Sequence, residues 1–218
     1  MAVGRSVPAA SPKRRPGFLI HPLTVLWTAC LVAGIVLFVS FAYGMWHGFS
    51  EQQRMNQAWK YEVIPRSVPK GIDHTLQQPV GGVDFALRIP KIDYFAAVKE
   101  GVDSGVLYAS PGHYPATMWP GDAGTVGVAA HNVYWINFPQ LAKGDEIDIE
   151  TRYGLYRYRV TGSKVVNPDD RTVLVPDSGG HHLALTTCWP LWAGAFATQR
   201  YVIFADQVWP VPLRQAYT

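Results

Sequence analysis

Cysteine is almost missing from this chain: Cys30 and Cys188 are the only two in 218 residues. So small a supply excludes a disulfide framework. With no C-x-x-C and no H-x-x-x-H pair, nothing seeds a zinc site either. Charge is scarce as well, at 16% of residues with a net of +3. The one dense basic run, Lys13 to Pro16, is too small for the basic face that nucleic-acid binders carry. Internal repeats are absent, which excludes solenoids and propellers. Acidic residues are absent from the whole stretch before Glu51.

That last gap frames an apolar run. No side chain from Leu23 to Trp46 is charged. A helix of that length rises roughly 36 Å, enough to cross a hydrocarbon core of about 30 Å. Arg5, Lys13, Arg14 and Arg15 precede it, and Trp27, Tyr43 and Trp46 lie near its ends. The positive-inside rule then places residues 1–21 in the cytoplasm, a transmembrane signal anchor over 22–47, and the remainder outside the cell membrane. A cleaved signal peptide is the alternative, with Ser40-Phe41-Ala42 as its cleavage site, but its apolar core would be far shorter. On this topology Cys30 lies in the bilayer and Cys188 beyond it. They cannot pair, since a disulfide needs Cα atoms within about 7 Å. An unpaired cysteine in an oxidising compartment points to an intermolecular bridge or to a thiol kept for its reactivity.

Residues 48–82 read as a stalk or linker: a short polar helix over 51–62, then a Pro- and Gly-rich stretch over 65–82. From Val83 to Thr218 the texture is that of one domain. Runs of four to eight apolar or alternating residues recur between Gly, Pro and Asp clusters, among them FALRIP, GTVGVAAH, DEIDIET, HLALTTC and RYVIFA. They predict a mostly antiparallel sandwich or barrel. A hairpin is expected to turn at Gly154. Helix is expected only in DSGVLYAS and in INFPQLAKG, the latter capped by Gly144.

Cys188 closes a strand-like run, and Pro190 ends any ladder there. The next strand begins at Gln199. Successive strands of this kind pair antiparallel, which brings Arg200 beside Cys188. Read alone, Cys188 is a small buried hydrophobe and Arg200 a solvated edge charge. Together they call for a histidine. His182 lies on the same strand, roughly 20 Å away at 3.3 Å per residue. His113 and His131 remain, and His131 sits at the end of an apolar strand, where sites gather.

The LTTC of residues 185–188 resembles the L-x-T-C motif of sortases. An arginine on the following strand and a histidine after an apolar strand are the partners that family carries. RIPKIDYFAAVKEGVD, SPGHYPATMWPGDAGTVGVAAHN and GDEIDIETRYGLYRYRVTGSKVVNPDD extend the likeness over residues 83–206, closest to classes D and E. Ala130 before His131 departs from the Gly-His of many relatives. The resemblance implies a closed antiparallel or mixed β-barrel of about eight strands with few short helices, behind one N-terminal transmembrane helix. It makes residues 83–218 a cysteine transpeptidase domain. Cys188 would be the nucleophile, His131 the acid and base, and Arg200 the oxyanion donor. The enzyme would cut an LPxTG or LAxTG sorting signal between Thr and Gly and pass the acyl group to an amine. Its partners would be surface proteins or pilins bearing that signal, a cell-wall precursor or pilin amine, and membrane lipid around the helix. A hydrolase without an amine acceptor, or a surface module with a structural Cys188, are the alternatives.

Thr187, Trp189 and Trp192 are candidate substrate contacts, because the loop after Cys188 is aromatic and nearly uncharged. No cofactor and no metal is expected. The acids Asp145, Glu146, Asp148 and Glu150 alternate as a solvated strand face does. With reference pKa values of about 8.5 and 6.5 for thiol and imidazole, the thiolate–imidazolium pair would be on the order of 1% of the enzyme near neutrality.

Overall fold

The computed structural model describes residues 22–61, 71–175 and 179–209. The basic residues ahead of the apolar run and most of the Pro-rich linker therefore lie outside the described residues. The chain divides into two units, Met1–Gly44 and Met45–Thr218. In the first, the described residues form the start of helix α1 (Pro22–Lys60), with every side chain from Pro22 to Ala42 exposed. Leu37 and Phe38 are each 71% exposed, an apolar surface that no described residue covers. This is the one helix among the described residues long and apolar enough to cross a membrane.

The second unit is a closed barrel of eight strands in the order β1-β2-β3-β4-β7-β8-β6-β5. The strands are β1 (Val83–Ile89), β2 (Tyr94–Glu100), β3 (Gly112–His113), β4 (Gly124–Ala130), β5 (Glu146–Thr151), β6 (Gly154–Val166), β7 (His181–Trp189) and β8 (Gln199–Trp209). Two pairings, β2 with β3 and β4 with β7, are parallel and the rest antiparallel. This is the mixed eight-stranded barrel expected. Alternation fills it: Phe85, Leu87 and Ile89 of β1, Ile147 and Ile149 of β5, and Leu183 and Leu185 of β7 are all buried in one core. Every residue of β4 is buried, because elements cover both of its faces.

Helix is as sparse as expected, but it is distributed differently. Ser104–Ala109 forms α2, capped by the Asp103 carboxylate, which accepts from the amides of Gly105 and Val106. INFPQLAKG holds only a single 3-10 turn, Phe138–Gln140, since Pro139 and a following extended Leu141 leave no room to propagate. Gly144, at φ +99°, closes a turn into β5 instead of a helix. The β5–β6 hairpin turns at Arg152 and Tyr153, and Gly154 is already paired with Thr151.

The polar end of α1 packs on the barrel. Gln52, Asn56 and Trp59 share one helical face. β3 pairs with β2 only at Lys99 and Glu100, so the β2 edge from Phe95 to Ala97 lacks a strand neighbour there. The Asn56 amide fills that edge as a strand would: its Oδ1 accepts from Ala97 N at 2.7 Å and its Nδ2 donates to Phe95 O at 3.1 Å. Gln52 Nε2 donates to Ala97 O at 3.1 Å. Trp59, 2% exposed, lies under the Arg152 guanidinium at 4.8 Å.

Candidate active site

Strand register assembles the site. Cys188 of β7 stands directly opposite Arg200 of β8. On the other side of β7, the parallel pairing with β4 ends at Ala130 opposite Thr187, so His131 leaves β4 one residue on, level with Cys188. Side-chain direction then follows from alternation. Val126, Val128 and Ala130 point into the barrel core, as do Leu183 and Leu185. Thr187 faces the same way, and its hydroxyl donates to Ala130 O at 2.9 Å. Their sequence neighbours point outward. Ala184 and Val202 form a separate outer cluster under Val173 and Leu174. His131, Cys188 and Arg200 thus belong to the outer face of three adjacent strands, at one end.

A cavity of about 510 Å3 lies on that face, within the range of small-molecule and peptide clefts. Thr186, Arg200 and Val202 form its floor, Tyr114 and Thr117 one wall, and Pro168 to Val175 its roof. Arg200 is the one of the three that lines the cavity, and Thr186, also in the lining, is two residues before Cys188 on the same strand face. Tyr114 Oη sits 3.1 Å from Thr186 Oγ1 and ties wall to floor. The roof is set by Asp170, whose carboxylate accepts from Thr172 N and Oγ1, holding the short turn Arg171–Leu174.

The three residues differ in setting. Cys188 is partly exposed and unpaired by disulfide. His131 is half-buried, and desolvation lowers its pKa below the ordinary value. Asn132, next in sequence, donates from Nδ2 to Leu191 O and so joins the loop after His131 to the loop after Cys188. Arg200 donates from Nη1 to Gln199 O at 3.1 Å. A guanidinium carries five N–H donors, so capacity remains for a ligand carbonyl.

The candidate substrate contacts are dispersed. Thr187 is 3% exposed and its hydroxyl is committed to β4. Trp189 stacks on Tyr201 at 5.4 Å between ring centroids. Trp192 is 88% exposed in the β7–β8 loop, with Phe196 at 89%. The cavity lining contains none of the three. Its wall comes from the segment after β3 and its roof from the β6–β7 connection, two stretches whose sequence shows no strand or helix period to place them. His113, the other histidine candidate, is 1% exposed inside the barrel, with Nδ1 2.9 Å from Asp84 Oδ2. Asp145 and the acids of β5 are in ion pairs: Asp145 with Lys91, Asp148 with Arg157, Glu146 with Arg157 and Arg159, and Glu150 with Arg88.

Comparison with known proteins agrees with this architecture. Residues 87–208, more than half of the chain, match the sortase domain family. Sortase D of Bacillus subtilis is 30% identical over 129 residues, which are 59% of this chain and 65% of that protein. The chain thus covers slightly under two thirds of its curated relative. A sortase D5 transpeptidase from Clostridium perfringens superimposes with a TM-score of 0.60 at 24% identity, covering 73% of this chain and 99% of that one. A pilus-related sortase C of Group B Streptococcus gives 0.57 at 22% identity, over 77% and 90%. A sortase from Actinomyces oris gives 0.54 at 26% identity, over 65% and 85%. Barrel topology, strand register and the family match agree, and the chain belongs to the sortase family.

Proposed function

We propose that this chain is a membrane-anchored cysteine transpeptidase. It would cleave an LPxTG- or LAxTG-type sorting signal between Thr and Gly and transfer the protein to an amine on the cell wall or on a pilin. The observation that carries the reading is the shared outer face of His131, Cys188 and Arg200 beside a peptide-sized cavity.

The Cys188 thiolate attacks the Thr carbonyl carbon and forms a C–S bond. The oxyanion of the tetrahedral intermediate accepts hydrogen bonds from Arg200. The C–N bond breaks, and His131 as imidazolium gives its proton to the departing Gly amine. The incoming amine then attacks the thioester, neutral His131 takes its proton, and the C–S bond breaks to regenerate the thiolate. The apolar part of the signal would pack between Val202 and Leu174 in the cavity. Trp192 would close over the peptide, Trp189 would brace the loop through Tyr201, and Thr187 would hold β4 to β7 so that His131 and Cys188 stay level.

Signal export fits the N-terminal helix. The basic residues ahead of it would keep the N-terminus cytoplasmic and put the barrel outside. The direct test is mass spectrometry of the full chain in detergent with LPxTG and LAxTG peptides, with and without a glycine- or diaminopimelate-type amine. A thioacyl adduct on Cys188, absent from Cys188→Ala, and a ligated product with amine are expected. Hydrolysed peptide alone at saturating amine would replace the transpeptidase by a hydrolase. An unreactive Cys188 would end both readings.

A further inference from the structure

A second constellation sits inside the barrel, away from the thiol. Asp84 lies in a β-bulge: Val83 pairs with Lys99 and Phe85 with Val98, so Asp84 has no opposite residue. Bulges re-aim side chains, and this one brings Asp84 inward, its side chain fully buried. Glu100, at the end of β2, stands opposite His113 in the parallel β2–β3 register. Gly112 makes that approach possible, since a Cβ there would lie 2.0 Å from Gly101 O. His113 Nδ1 is 2.9 Å from Asp84 Oδ2 and 3.6 Å from Glu100 Oε2. One donor atom from each residue falls within 4.8 Å of the others.

The polar atoms around the imidazole are unevenly partnered. His113 Nε2 lies 3.1 Å from Met118 O, a carbonyl that can only accept, so the ring's N–H is assigned to Nε2. In the neutral ring Nδ1 then turns a lone pair toward two carboxylates. Asp84 Oδ1 is buried and has no hydrogen-bond partner among the described residues. The neighbouring cations are engaged elsewhere. Lys99 pairs with Glu51, and Arg152 donates to the main-chain oxygens of Val83 and Asp84.

We propose that Asp84, Glu100 and His113 form a binding site for one divalent first-row transition ion, Zn2+ or Mn2+. Two carboxylates and one dication sum to zero charge, which suits a buried place. Ligands each about 2.1 Å from one ion are separated by roughly 3.0–3.4 Å at octahedral to tetrahedral angles; the observed 2.9 and 3.6 Å straddle that. An Nε2–H donated to a carbonyl is the usual outer bond of a metal-bound histidine. The imidazole favours Zn2+ over the all-oxygen preference of Ca2+ and Mg2+, and the two carboxylates also suit Mn2+. Glu100, with 38% of its side chain exposed, gives the ion a way in. The ion would clamp β1, β2 and β3 together; Tyr114, next to His113, lines the cavity, so the clamp would also steady that wall.

The test uses the full chain in detergent, stripped with chelator, on a Cys188→Ala background so that the thiol cannot bind the probe. Titration calorimetry with Zn2+ and with Mn2+ should give one ion per chain for at least one of them, with micromolar or tighter affinity and a raised Tm. Glu100→Gln and His113→Gln should each weaken binding at least tenfold, with far-UV circular dichroism unchanged for Glu100→Gln. Binding should release protons, seen as a buffer-dependent heat. Failure of both ions to bind stoichiometrically, or unaltered binding by Glu100→Gln, would overturn the proposal.

Discussion

At the scale of single residues, two predictions separate the roles on the outer face. If Arg200 is the proposed oxyanion donor, kcat of Arg200→Ala with a sorting peptide should fall about 100- to 1,000-fold, while Cys188 still reacts with a small thiol reagent. A full rate in that variant would remove Arg200 from the mechanism. His131 is the pH-sensitive member. Burial holds its pKa below the ordinary 6.5. The acid limb of kcat/KM should therefore lie below pH 6.5. Its folded pKa is depressed, so the unfolded chain binds the proton more readily. The resulting stability is present above pH 6.5 and is lost as pH falls through the window beneath it. Denaturant midpoints should show that loss in the parent chain and a smaller one in His131→Gln. The same depressed value makes the imidazolium scarcer at neutrality, which points to slow turnover. These residues were legible because each lies at a strand end marked by local chemistry: Pro190 stops β7, and an apolar run delivers His131. Asp84, Glu100 and His113 carry no such mark. They sit on three separate strands, and a bulge that no alternation pattern announces turns Asp84 inward.

Among elements, the polar end of α1 behaves as part of the barrel. Its hydrogen bonds complete β2, and unmet edge groups of that kind cost about 1–3 kcal/mol each when buried. Asn56→Ala should lower the unfolding free energy by about that amount, and Asn56→Leu should do no better, because the groups at stake are polar. Equal stability of both variants and the parent chain by denaturant titration would show that water satisfies the edge. Sequence reading places a short polar helix over 51–62 but not its docking, because Gln52, Asn56 and Trp59 are too few to make an apolar stripe. The strands themselves read well, since alternation and turn residues are local signals. INFPQLAKG reads as helix and forms one turn, because Pro139 and the need to reach β5 outweigh its apolar spacing.

For the molecule as a whole, the prediction concerns sidedness. If the helix spans the membrane with its basic end inside, a membrane-impermeant maleimide applied to intact cells should label Cys188 and spare Cys30. Labelling should vanish in Cys188→Ala. Labelling only after the cells are broken would reverse the topology. Overall architecture followed from composition and turn spacing as far as a barrel or sandwich. Closure and strand order did not, because the parallel β4–β7 contact joins residues 57 positions apart and no local pattern encodes it.

That contact has a consequence for biosynthesis. β4 is translated well before β7, and the two are stitched side by side only when everything between them has found its place. Closing so long a loop is entropically slow work. Until the last two strands arrive, residue 188 is an ordinary sulfhydryl with neither imidazole nor guanidinium beside it. If Cys188 is the proposed nucleophile, a partly folded copy would hold it without the neighbours that its reactivity requires.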